Sequence, residues 1–331
     1  MKSSTSERDP ARATRTAPLA PLSAASRRRM LVIVNPHAAT VSARLRNLVV
    51  YALKGRYEVD AVDTDARGHA TVLCREAAHE GYDVVVAFGG DGTVNEAANG
   101  LLGSATPLCA LPGGSANVFA KILGIPGELV DATEHLLAIA DDWRPRAIDL
   151  GGVNDRCFVF NSGVGLDASV VRRVDARTAL KARFGPHFFT WIALTTYTRR
   201  YLLGAPRMVI EAGDQTLRGV TTVVQNAAPF TYFHERPIEI ADGAALDSGV
   251  LAGAVLHRAT PLGLVMIGAR SLAPRLRAVD HRQITGFAGV ERLTVRSADA
   301  RPLPLQVDGD FIGEVDEARY SIKPRALTVV A

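Results

Sequence analysis

No run of eighteen apolar residues occurs in this 331-residue chain, which excludes a membrane-spanning helix and leaves any lipid to be met from the surface. Cysteine is scarce. Cys74, Cys109 and Cys157 are isolated, odd in number and set among apolar neighbours, so they fit neither a disulfide framework nor a zinc site and read as buried thiols of a reducing, cytoplasmic compartment. Aromatics are only 6% of a chain that is 47% hydrophobic, enough for one large aliphatic core or two modest ones, and two domains is the better expectation for this length. The commoner phosphate-loop patterns are absent: there is no G-x-x-x-x-G-K-[ST], and G-x-G-x-x-G would need glycine where Asn95 stands. The first 29 residues lack the apolar stretch of a secretory signal. They hold seven Lys or Arg against Glu7 and Asp9, more than the whole chain's formal +4, and are expected to be a disordered basic tail. Arg27, Arg28 and Arg29 could rest on an anionic membrane at roughly 1 kcal/mol each, or the tail could be solvated and without function.

What is present is alternation. From Met30 the pattern predicts strand 31–35, helix 41–53, strand 57–63, helix 70–79, strand 84–87, helix 93–102, strand 107–111 and helix 115–123. Such a βα series implies a mainly parallel sheet covered on both faces, with ligands at the carboxyl ends of its strands. Three loops fall at that end: 35–39, 89–92 and 112–117. Past Ile148 short strands with tight turns follow at 157–161, 208–212, 220–225, 250–256, 293–296, 305–307 and 320–322, interrupted by helical stretches at 183–201 and 261–272. The expected fold is therefore an α/β nucleotide-binding domain over 30–147 and an antiparallel, β-rich domain over 148–331, whose last strand could return to the first. The cleft between them is the default site.

Gly89-Gly90-Asp91-Gly92 lies between the apolar run Val84 to Ala87 and the helical spacing of Val94, Ala97, Ala98 and Leu101. Glycines at a strand-to-helix turn expose backbone N–H groups beside the positive end of the helix dipole, a natural seat for phosphate. Asp91 would repel a bare phosphate, so it is expected to hold a Mg²⁺, a water or a hydroxyl there. An ordinary tight turn is the alternative, which Thr93, Asn95 and Glu96 on the first helical turn make less attractive.

The Asn35-Pro36 turn, G-G-D-G-T-V-N-E over 89–96, L-P-G-G-S-A-N-V-F-A-K over 111–121 and V-D-G-D over 307–310 together resemble the diacylglycerol kinase catalytic family. That family includes bacterial lipid kinases together with sphingosine and ceramide kinases. The resemblance runs from about Leu31 to the C-terminus and is strongest in the first domain. It implies ATP and Mg²⁺ as cofactors and a membrane lipid as substrate. It also implies a nucleotide site of Asn35, Pro36, Thr64, Gly89, Gly90, Asp91, Gly92, Thr93, Gly114 and Ser115, with Asn95 and Glu96 supporting the loop. Phosphoryl transfer needs the phosphates held in line and a carboxylate near the attacking hydroxyl. Relatives carry Asp-Gly-Glu at 308–310, its second acid being the proton acceptor, so the resemblance gives that role to Asp310, with Asp308 its neighbour in the catalytic set and Asp91 organising metal or hydroxyl. A plain hairpin turn is the competing reading of Asp-Gly-Asp.

Departures from the family are informative. Leu246-Asp247-Ser248-Gly249 stands where a metal loop Leu-Asp-Asp-Gly is usual, leaving Asp247 as the metal ligand implied, and 226–233, N-A-A-P-F-T-Y-F, replaces a glycine-rich stretch and implies a remodelled lipid pocket. Asp167, in F-N-S-G-V-G-L-D-A over 160–168, is placed by the resemblance at a polar head group, or else caps the helix that follows. Arg172, Arg173, Arg177, Lys181 and Arg183, followed by Phe184, Phe188, Phe189 and Trp191, could dock on anionic lipid at the inner face of the membrane, or form a charged helix face. The function implied is an ATP-dependent lipid kinase phosphorylating a hydroxyl of diacylglycerol, a sphingoid base or ceramide. Its rivals are a soluble-substrate kinase, since NAD kinases share G-G-D-G-T, and a catalytically weak lipid- or nucleotide-binding regulator. No nucleic-acid partner is expected, and a homodimer is left open.

Overall fold

A computed structural model describes residues 27–175, 195–201, 204–233, 236–273 and 276–331. The first half follows the expected alternation: β1 (Arg29–Val34), α1 (Ala43–Leu53), β2 (Glu58–Asp63), α2 (His69–Glu80), β3 (Val84–Gly89), α3 (Asp91–Gly100), β4 (Leu108–Pro112), α4 (Val118–Ile122) and α5 (Leu129–Ile139). β1 pairs in parallel with both β2 and β3, and β3 with β4. Residues 84–89 and 108–112 are buried throughout, as a parallel sheet covered on both faces requires. Local chemistry sets the helix ends. Ser42 accepts a hydrogen bond from Leu45 N at 3.3 Å to start α1, and Gly81, at φ 73°, ends α2 in the left-handed conformation. The fourth helix begins three residues later than its spacing predicts, because Asn117 sits at φ 49° and cannot be part of a right-handed helix.

Beyond α5 the chain forms β5 (Arg146–Val153), β6 (Arg156–Phe158), β7 (Asn161–Gly165), α6 (Leu166–Asp175), β8 (Met208–Ala212), β9 (Gln215–Gly219), β10 (Thr221–Gln225), β11 (Thr231–Phe233), β12 (Arg236–Ile238) and β13 (Leu251–Leu256). A helix over Pro261–Leu272 follows, then β14 (Ile284–Val290), β15 (Arg292–Ser297), β16 (Leu303–Val307), β17 (Asp310–Val315) and β18 (Glu317–Val329). The single strand expected over 157–161 is split into β6 and β7, because the amides of Val159, Phe160 and Asn161 turn to a side chain described below.

Two sheets carry the molecule. One runs β2-β1-β3-β4-β18-β15-β8-β9, with β5 against β18 and β6 against β5; the other runs β14-β13-β10-β7-β16-β17. The boundary read at 147/148 falls inside β5, and the long β18 pairs with β4, β5 and β15, so the first sheet continues through both halves of the chain. The tail boundary also shifts. Arg29 opens β1 with its N–H on Asp83 at 2.8 Å, and the Arg28 guanidinium lies 4.4 Å from the Trp143 ring, so these arginines belong to the fold.

The six-stranded sheet is two-faced. Val164, Val224, Val255, Leu305 and Val307 enter the second core with Phe158 and Tyr320, whose rings meet edge-to-face at 6.1 Å. By strand alternation Asn161, Gly163, Gln225 and Gln306 lie on the opposite face, where α6 packs.

Candidate active site

The glycine loop is the strand-to-helix turn that its sequence predicts: β3 ends at Gly89, Gly90 is the N-cap, and α3 starts at Asp91. Gly92 and Thr93 lie in the first turn of α3, whose amides have no carbonyl one turn earlier to receive them. The second glycine loop presses against the first. Gly113 N donates to Gly89 O at 2.9 Å, and a Cβ at Gly114 would stand 2.6 Å from Gly90 Cα. Only glycine permits two backbones to approach so closely, and the approach leaves main-chain groups as the surface offered to a ligand. Asn117 holds the second loop in shape, accepting from Gly114 N at 2.8 Å and donating to Gly114 O at 2.9 Å.

Around these loops the expected nucleotide residues divide. Asn35, just past β1, donates from Nδ2 to Thr93 Oγ1 at 3.1 Å and accepts from His37 N at 3.0 Å, so it joins the first loop to α3. Pro36 and Ser115 are exposed at the same end of the sheet, and Thr64 follows β2 there with its N–H on Val34 O at 2.8 Å. The Asp91 carboxylate accepts from Val118 N and Phe119 N, each at 3.1 Å, capping α4 and stapling it to the glycine loop. Glu96 acts at a distance too, accepting from Gly68 N at 2.8 Å where α2 begins. Asn95 turns away from the loop altogether: it is buried, donates to Cys157 O at 2.9 Å and Asp308 at 2.7 Å, and accepts from Arg156 Nη2 at 2.7 Å.

The acid turn brings the two halves together. Asp308 at φ 46° and Gly309 at φ 83° form the tight connection between β16 and β17. Its two acids point to different places. Asp308 is buried, and both its oxygens are engaged: Oδ2 by Val159 N and Asn95 Nδ2, each at 2.7 Å, Oδ1 by Phe160 N at 3.0 Å and Asn161 N at 3.1 Å. Burial pushes its carboxyl up to about 6, against the pull of these donors. A carboxylate so enclosed holds the structure together and is not placed to meet a substrate, which corrects its place in the catalytic set. Asp310 is half-buried and reaches the glycine loop, for a Cβ at Gly92 would stand 2.6 Å from its Oδ2.

Gln306 was not foreseen, and its amide links the turn to Asp167. Nε2 donates to Asp167 Oδ2 at 2.8 Å and Asn161 Oδ1 at 3.0 Å, while Oε1 accepts from Gly309 N at 2.9 Å. Burial pushes Asp167 up to about 6, with the Gln306 hydrogen bond opposing. The Gln306 amide thus joins Asp167 to the backbone of Gly309, the residue before Asp310. The only signal for Gln306 in the sequence is its strand alternation with Leu305 and Val307, which says where it faces but not what it meets.

Other expectations fare differently. Asp247 is exposed in a loop held by buried Asp149, which accepts from Gly249 N at 2.7 Å and Arg325 N at 2.8 Å. Among the described residues no three His, Cys, Asp or Glu come together as a metal site. Arg172 of the basic run pairs with Glu314 at 2.5 Å and lies over the Phe311 ring at 5.3 Å, the charged-face alternative. Arg173 donates to Thr196 at 2.9 Å. Arg177, Lys181, Arg183, Phe184, Phe188, Phe189 and Trp191 lie outside the described residues. In the segment that replaces the glycine-rich stretch, the Tyr232 ring receives Lys121 Nζ at 4.9 Å, linking that segment to the helix after the second glycine loop.

Comparison with known proteins agrees with this geometry. The family model of the diacylglycerol kinase catalytic domain matches residues 29–152. Diacylglycerol kinases of Staphylococcus aureus strains JH9 and Newman are 31% identical over 164 residues, 48% of this chain and 50% of theirs. The chain thus spans about half the length of the curated relatives it matches. A putative diacylglycerol kinase from Bacillus anthracis superposes with TM-score 0.70 at 22% identity, covering 91% of this chain and 96% of that one. A second Bacillus anthracis diacylglycerol kinase structure gives TM-score 0.66 at 19% identity, with the same coverage. At these identities the two structures speak for the fold.

Proposed function

We propose that the chain, whose residues 29–152 match the model of the diacylglycerol kinase catalytic domain, is an ATP-dependent lipid kinase acting on a hydroxyl of a membrane-derived lipid, diacylglycerol or a sphingoid or ceramide type. The observation that carries this reading is the Asp310 carboxylate set against Gly92, an acid from one sheet presented to the phosphate-type loop of the other. Backbone amides at Gly92 and Thr93 and the α3 dipole receive the phosphates, and the close contact of Gly90 with Gly114 keeps side chains out of that cradle. ATP would supply the phosphoryl group, and a bound Mg²⁺ would supply charge neutralisation. Mg²⁺ usually needs only one or two carboxylates besides phosphate and water. Exposed Asp247 belongs to no group of three His, Cys, Asp or Glu among the described residues.

Asp310 takes the proton from the attacking hydroxyl, and Asp167 meets the polar head group. Gln306 ties Asp167 to the Gly309 backbone of the turn that carries Asp310. The work is positioning and electrostatics, which is what phosphoryl transfer asks of a protein. The lipid is met at the inner face of the membrane, from a chain in which no described helix is long and apolar enough to cross it. A labelled-phosphate assay over diacylglycerol, sphingosine, ceramide and NAD tests the reading. Label is expected in a lipid and absent from NAD; transfer to NAD alone, or to none of the four, overturns it.

A further inference from the structure

Of the ten large apolar side chains that stand exposed among the described residues, four crowd between 262 and 276. They belong to the Pro261–Leu272 helix, P-L-G-L-V-M-I-G-A-R-S-L, and to the turn after it. Arg270 is the helix's single charge. A helix apolar nearly all round is ordinarily a buried one, so an exposed example calls for a covering. Its start is firmly anchored: Thr260 Oγ1 accepts from Gly263 N at 3.2 Å and from Gln283 Nε2 at 2.9 Å. Leu264 and Ile267 are half-buried, while Leu262 is 72%, Val265 70% and Met266 45% exposed, with Leu276 at 50% just beyond. Residues 262, 265 and 266 are neighbours on one helical face.

We propose that this face is a docking surface for an anionic lipid bilayer. Charge selects that occupant. Arg258 and Arg282 are exposed beside the helix's first turn and Arg270 lies on its last, and none of the three forms an ion pair among the described residues. Arg277, just past the helix, pairs with Asp242. Asp280 is the acid of the 257–282 stretch. A second copy bound by two-fold symmetry would set the same basic rim against itself. Residues 1–26 carry Lys2, Arg8, Arg12 and Arg15 against Glu7 and Asp9, and are repelled by the rim in the same way. Anionic head groups are attracted to it, and apolar side chains ringed by arginine are the make-up of a helix lying in the membrane interface.

β13 runs into this helix and shares its sheet, in the order β13-β10-β7-β16-β17, with the strands that hold Gln306 and Asp310. Tyr197 adds a tie, its hydroxyl donating to Ala259 O at 2.8 Å at the helix entrance. The lipid-kinase reading supplies a reason for docking, but docking itself needs no phosphoryl transfer.

The native cysteines are all buried, so a Val265→Cys variant can be labelled there with an environment-sensitive fluorophore, and Tyr51→Cys on α1 serves as an exposed control. Mixed with phosphatidylcholine vesicles containing phosphatidylglycerol, the full chain is expected to shield the label at 265 from aqueous quencher and leave the label at 51 accessible. Leu262→Gln with Met266→Gln should lower vesicle affinity by about tenfold or more without changing the melting temperature. Labels that stay equally quenchable on bound vesicles, or an unchanged affinity in the double variant, overturn the proposal. So does shielding at 265 that grows with protein concentration without vesicles, which would make the occupant a second copy. A chain that docks yet phosphorylates no lipid removes the kinase reading and leaves the surface standing; one active on detergent-dispersed lipid but not shielded on vesicles does the reverse.

Discussion

Asp167 lies at the start of α6 with Gln306 Nε2 2.8 Å from its Oδ2, and burial raises its carboxyl from the ordinary value near 3.8 to about 6. Between those two values the folded chain holds a proton that the unfolded chain has released. Stability from this group is therefore complete below about pH 4 and is lost as pH rises through about 6. A displacement of about two pH units is worth at most about 3 kcal/mol, which partial solvent contact reduces to roughly 1–3 kcal/mol. Asp167→Asn keeps the size of the side chain and an oxygen for Gln306 but cannot ionise. Urea midpoints of wild type and variant are expected to coincide near about pH 4, and the variant to lead by that roughly 1–3 kcal/mol at about pH 7.5. On the proposed function the same variant raises the KM for lipid and leaves that for ATP unchanged, a stability gained at the expense of activity. A variant equally stable at both pH values, or less stable at neutral pH, would refute the reasoning.

The two acids of the β16–β17 turn should fail differently. Asp308→Asn turns an amide NH₂ towards two N–H donors and leaves both unmet at about 1–3 kcal/mol each, so urea unfolding should show a loss of roughly 2–6 kcal/mol. Asp310→Asn should leave that midpoint nearly unchanged and lower kcat by about 10²–10⁴, with ATP binding intact. Gly114→Ala puts a methyl 2.6 Å from Gly90 Cα, forcing the loops apart by about 1 Å; calorimetry should show weakened ATP binding, and turnover should fall by about 10². Unchanged ATP affinity in that variant would remove the cradle from the nucleotide site.

How much of this was legible in the sequence depended on how local the chemistry was. The alternation from β1 to β4 could be read because apolar runs and 3.6-residue spacing act within one segment, and Gly89 to Gly92 because the binding surface is the backbone itself. β5 was missed for an instructive reason. Gly151 and Gly152 weaken its strand pattern, yet a Cβ at Gly151 would stand 2.1 Å from the Phe158 ring, so the glycine that hid the strand is what lets the ring lie across it.

By itself the sequence determined the parallel α/β half, the glycine loop at a strand's carboxyl end and the presence of acids at 91, 167, 308 and 310. It could not say what those acids do. Asp91 caps a helix that starts 27 positions later, Asp308 ties down a strand break about 150 positions earlier, and Asp310 reaches a glycine more than 200 positions away. A carboxylate's role follows from which donors surround it and how much water they displace. For Asp91 the packing of the second glycine loop on the first brings the donors into place, and for Asp308 and Asp310 the turn between β16 and β17 does so.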